Sequence, residues 1–132
     1  MIAVIFEVWP ADDDRRGQYL DIAASLRDDL SRIDGFLSIE RFQSLADPDK
    51  LLSLSFWRDE EAVREWRNSP SHRLAQGQGR KGVFENYRLR VASVMRDYGL
   101  DDRIGAPKTA VQRTLHNEKP GTARLLYFCF RP

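Results

Sequence analysis

Cysteine is almost missing from this sequence: Cys129 stands alone among 132 residues, which excludes an internal disulfide and any cysteine-built zinc site. Histidine is scarce too. His72 and His116 lie too far apart in sequence to form a ligand motif, so no metal site is expected. An excess of either charge is also lacking, with 21 Lys and Arg against 20 Asp and Glu, and a formal charge of +1 offers no field to draw in nucleic acid or an anionic membrane. The opening stretch MIAVIFEVWPADDD has no basic leader and turns acidic after an apolar run too short for a signal peptide or a span. These absences point to a cytoplasmic protein in a reducing compartment. What is present, 42% apolar and 31% charged residues, fits one compact globular domain.

The β-branched and aromatic run Ile2 to Trp9 reads as a first strand, closed by Pro10 and three aspartates. From Arg15 to Ile33, Tyr19, Ile22, Ala23, Leu26, Leu30 and Ile33 follow helical spacing, with Asp14 as N-cap and Gly35 as the terminating glycine. Phe36 to Leu45 and Lys50 to Trp57 are β-prone runs joined by Ala46-Asp47-Pro48-Asp49, a hairpin. Asp59 caps a second helix through Trp66, and Ser69-Pro70 restarts it toward Arg80, with Ser as N-cap and Pro at the first helical position. Phe84 to Met95 alternates as a last strand.

The order βαββαβ is the ferredoxin-like arrangement of the α+β class, with helices on one face of an antiparallel sheet. In the first strand Ile2, Val4, Phe6 and Val8 share one side, yet Ala3, Ile5 and Trp9 on the other are also apolar. Helices cover only one face, so the second face is expected to meet another copy in a homodimer, or else the chain's own tail. The domain is expected to span residues 1–98. Residues 99–132 form a C-terminal arm, in which Ala123 to Phe130 (ARLLYFCF) is apolar enough for an extra strand against a sheet edge, in the partner subunit by preference.

The string GQGRKG, Gly77 to Gly82, matches the spacing of a dinucleotide fingerprint but ends a helix instead of opening one, and is set aside. More informative is the stretch after Pro70: His72, Ala75, Gln76 and Gly79 fall on one helix face, small and polar where packing would call for bulk. Either that face is solvated, or it borders a cavity over the sheet. Phe6, Phe36, Trp57 and Tyr87, with Arg88 or Arg90 according to pleat register, are the side chains the sheet could add around such a cavity. Trp66 reads equally as a cavity wall or a core tryptophan.

The segments IDGFLSIERFQSL, LLSLSFWRDEEAVREW, SHRLAQGQGR and FENYRLRVASV together resemble the antibiotic biosynthesis monooxygenase family, over roughly residues 1–96. That resemblance implies a dimeric α+β barrel with a ligand pocket between sheet and helices. It implies oxidation of a small aromatic or quinol-like molecule by molecular oxygen without a cofactor. His72 would then act as base or proton shuttle, and Gln76, Trp66 and one of Arg88 or Arg90 would orient and stabilise the substrate anion. Two alternatives accompany it: a non-enzymatic dimer that binds a small molecule or serves a stress response, and haem binding or degradation. Haem-degrading relatives place a histidine where this chain has Gln76 and a first-strand asparagine near Phe6 or Glu7, and both departures count against haem.

Overall fold

The computed structural model describes residues 1–107. The chain divides into two compact units between Val94 and Met95. In the first unit β1 (Ile2–Pro10) leads into α1 (Asp13–Ser25) and α2 (Arg27–Ser31), followed by the hairpin β2 (Phe36–Gln43) and β3 (Leu51–Trp57). Then come α3 (Glu60–Asn68), α4 (Pro70–Gly79) and β4 (Phe84–Ser93). The four strands form one antiparallel sheet in the order β2-β3-β1-β4, the ferredoxin-like α+β fold. Of the second unit, residues 95–107 are irregular, held by local bonds such as Gly99 N–H to the Asp102 carbonyl at 2.7 Å. The expected strand at 123–130 lies outside the described residues.

Local chemistry sets the helix limits. Asp12, not Asp14, caps α1 by accepting the Arg15 N–H at 2.7 Å, so the helix begins earlier than its apolar periodicity suggests. The single helix expected from Arg15 to Ile33 is broken at Leu26 into α1 and α2, although Tyr19, Ala23 and Leu30 are buried as their spacing requires. Gly35 follows with φ +85°, and a Cβ there would stand 2.8 Å from that of Ala62; both the turn and the approach of α3 need glycine. Asp59 caps α3 at the Ala62 N–H, and Ser69 with Pro70 restarts the chain as α4, as the sequence implies.

Register sorts the sheet into two faces. Ile2, Val4, Phe6 and Val8 of β1 lie opposite Trp57, Ser55, Ser53 and Leu51 of β3, and Val4, Phe6 and Val8 lie opposite Val91, Leu89 and Tyr87 of β4. This is the helix-covered face. It carries two packed clusters, one of Val8, Tyr19, Ala23, Leu51 and Val83, the other of Leu30, Trp57, Ala62 and Trp66. The other face presents Ala3, Ile5, Leu52, Leu54 and Phe56, and none of them belongs to either cluster.

Candidate functional site

α4 turns inward the face its sequence marks: His72, Ala75 and Gln76 are half-buried and Gly79 is buried, while Arg73, Leu74, Gly77 and Gln78 are exposed. The Ser69 hydroxyl accepts the His72 N–H at 3.3 Å, fixing the first turn. This brings the imidazole against Trp66 of α3, with ring centroids 4.7 Å apart at 55°. Gln76, one turn on, has its amide nitrogen 3.1 Å from His72 Nε2. The other ring nitrogen, Nδ1, is buried with no hydrogen-bond partner among the described residues.

Two assignments satisfy the His72–Gln76 pair. In one the Gln76 amide N–H donates to Nε2, and Nδ1 carries the proton. In the other the amide is turned so that its carbonyl accepts from Nε2–H, and Nδ1 holds a free lone pair. Under either, Nδ1 is the atom left without a partner. Burial, aided by the positive charge of Arg67, holds the His72 pKa below its ordinary 6.5, so the ring is neutral at neutral pH. A neutral imidazole against an indole, with one nitrogen unspent, can accept or relay a proton.

A second aromatic group lies over β1 and β4. Phe6 packs edge-on to Phe84, with centroids 5.9 Å apart, and 5.8 Å from Tyr87, while Tyr19 of α1 closes on Phe84 at 5.5 Å. Gly79, on the His72 face of α4, approaches Phe84 so closely that a Cβ would stand 2.9 Å from its ring. That contact joins the two groups. Beyond them the helix-side face of β4 is open, with Tyr87, Leu89 and Val91 each about half exposed. Sequence alone does not distinguish Phe84 and Tyr19 as site residues, since an aromatic at a strand start or on a helix stripe looks like ordinary core.

The remaining expected residues lie elsewhere. Trp57 is 2% exposed and donates its indole N–H to Ser55 Oγ at 2.9 Å; it is core, with Phe36 packed edge-on against it at 5.3 Å. Arg88 and Arg90 correct the expectation that one of them faces the helices. β4 pairs with β1 so that Arg88 lies opposite Glu7 and Arg90 opposite Ile5, on the face away from the helices. There Arg90 and Lys50 both bond Glu7 and hold its carboxyl below the usual range, the Lys50 hydrogen bond first. The cavity expected beside His72 and Gln76 is not borne out: neither of the two best-formed cavities among the described residues touches them. One, of about 160 Å³, lies between α1–α2 and β2; the other is an open hollow beside Trp9, Glu85 and Asn86. Among the described residues no group of three His, Cys, Asp or Glu could hold a metal ion, and no helix is long and apolar enough to cross a membrane.

A ferredoxin-like α+β domain with a histidine–tryptophan pair where α3 meets α4 is thus the class that fold and site define. A family model described as antibiotic biosynthesis monooxygenase matches residues 1–78, and the chain belongs to that family. It is 50% identical over 94 residues to a protein of Pyricularia oryzae named jasmonate monooxygenase ABM, a match covering 71% of this chain and 43% of that one. The chain therefore spans less than half of that relative. It is 32% identical over 96 residues to the protein YqjZ of Bacillus subtilis, covering 71% of this chain and 79% of that one. Among solved structures it is similar to SnoaB, a cofactor-independent oxygenase from Streptomyces nogalater. That match has a TM-score of 0.63 and 10% identity, covers 73% of this chain and 94% of the other, and shows the fold alone.

Proposed function

We propose that this chain is a cofactor-independent monooxygenase that oxidises a small aromatic or quinol-like molecule with molecular oxygen. The observation that carries the reading is the unpartnered, buried Nδ1 of a neutral His72 held between Trp66 and Gln76. In the assignment where Nε2–H donates to the Gln76 carbonyl, Nδ1 takes the proton of a phenol or enol, and the electron-rich anion reduces oxygen. For a CH₂ group oxidised to a carbonyl, one oxygen atom enters the substrate and the other leaves as water, so no external reductant is needed. Trp66 and the Phe6, Phe84 and Tyr87 rings supply an apolar environment, and Gln76 orients the imidazole.

Arg88 and Arg90 take no part in this proposal, because pleat register turns them away from His72. Haem fits poorly: Gln76 stands where haem-degrading relatives place a histidine, and it engages His72 Nε2. The test is oxygen uptake with anthrone-like substrates, hydroquinones and, because of the Pyricularia relative's name, jasmonate. Turnover that disappears in His72→Ala supports the reading; saturable binding without oxygen uptake favours a binding protein instead. A Soret shift on haem titration would reopen the haem alternative.

The proposal includes a cytoplasmic homodimer. Its support is the half-buried apolar face of Ile5, Leu52, Leu54 and Phe56, on the side of the sheet away from the helices, which a second copy would cover.

A further inference from the structure

The cavity between the first helical pair and the sheet edge is not explained by the oxygenase reading. Its apolar lining is Ala23 and Leu30, both buried, and the half-buried Ile39, beneath an exposed surface that is mostly polar. Its rim carries two cations, Arg27 at the start of α2 and Arg41 on β2. Glu40 also borders it, but strand alternation turns the Glu40 side chain to the other face: Ile39 and Arg41 lie opposite Ser55 and Ser53 on the helix side, and Glu40 opposite Leu54. The cleft therefore has two guanidinium groups and no carboxylate side chain pointing in from its strand.

The neighbouring arginines are engaged. Arg16 of α1 bonds Gln43 and the Pro48 carbonyl, and Arg32 just after α2 pairs with Asp29. Arg27 and Arg41 make no side-chain hydrogen bond or ion pair among the described residues. Like charges lining one small cleft repel, and an anion between them removes that cost. Two forked guanidinium groups match a carboxylate, and the apolar floor calls for a hydrocarbon tail beneath it. The volume of about 160 Å³ is below the roughly 300–1,000 Å³ of pockets for drug-sized ligands, which leaves room for a short acyl chain or a single small ring.

We propose that the Arg27–Arg41 cleft is a binding site for a small apolar monocarboxylate. The proposal is independent of His72, which the cleft does not touch. Leu30 nevertheless packs in the same cluster as Trp66.

The test is titration of the full chain with hexanoate, acetate and hexanol, reading ¹³C-methyl shifts of Ala23, Leu30 and Ile39. The methyls of Ile5 and Leu54, on the opposite face of the sheet and outside both clusters, report that the fold is intact. Hexanoate is expected to give saturable shifts, with acetate and hexanol each at least about tenfold weaker. Arg27→Gln and Arg41→Gln, both at exposed positions, should each weaken hexanoate at least about fivefold, and the double variant more. Equal binding of hexanol would show a merely apolar groove, and equal binding of acetate a merely anionic rim; either overturns the proposal. So would an unchanged affinity in the double variant, or the absence of saturable shifts with hexanoate.

Discussion

His72 has one nitrogen occupied by Gln76, one unoccupied, and a ring that burial keeps neutral. As a general base it should contribute roughly 10²–10⁴-fold to turnover, the range for positioned proton transfer, so His72→Ala is expected to lower kcat by about that much in oxygen-uptake assays. The acid limb of the parent's pH profile should fall below pH 6.5, following the lowered pKa. Trp66→Phe reduces the apolar cover and should move that limb upward. Stability carries the same sign. The folded-state pKa lies below the unfolded one, so the contribution of neutral His72 is fully present above about 6.5 and is lost as pH falls through the folded value. Melting temperatures between pH 7.5 and 5 should therefore drop further for the parent than for His72→Gln, which has no proton to gain.

At the scale of elements, Gly35 carries the clearest requirement. A side chain there faces both a left-handed backbone and the Ala62 Cβ at 2.8 Å. Gly35→Ala should cost about 2 kcal/mol in urea unfolding, from the strained dihedral and the displaced α3. Capping at Asp59 and the Ser69-Pro70 restart were legible in sequence because each acts within one helical turn. The break at Leu26 was not, since an amphipathic stripe runs on through α1 and α2 with the same period. Likewise Arg88 and Arg90 share a face in any strand, but which face is decided by pairing with β1.

For the whole molecule, Ile5, Leu52, Leu54 and Phe56 of the central strands β1 and β3 form a half-buried apolar face on the side of the sheet away from the helices. Sedimentation at micromolar concentration should show about 31 kDa, twice the 15.3 kDa of one chain. Leu54→Asp, at the middle of that face, is expected to shift the equilibrium to monomer while leaving the helix-side clusters intact. A monomeric parent would refute the second-copy arrangement.

The sequence by itself determined the order of strands and helical segments, the caps at Asp59 and Ser69, the hairpin and the inward face of α4, because all of these follow from contacts a few residues apart and from the two periodicities of helix and strand. Only the tertiary structure decided that Trp57 is core while Trp66 meets His72, that Arg90 pairs with Glu7 across 83 positions, and that Arg27 and Arg41 share a cleft. Those outcomes depend on strand register and on how α1–α2 and α3–α4 seat against the sheet. A one-residue slip of pairing exchanges every inward side chain for an outward one, and no local spacing records which register the packed sheet adopts.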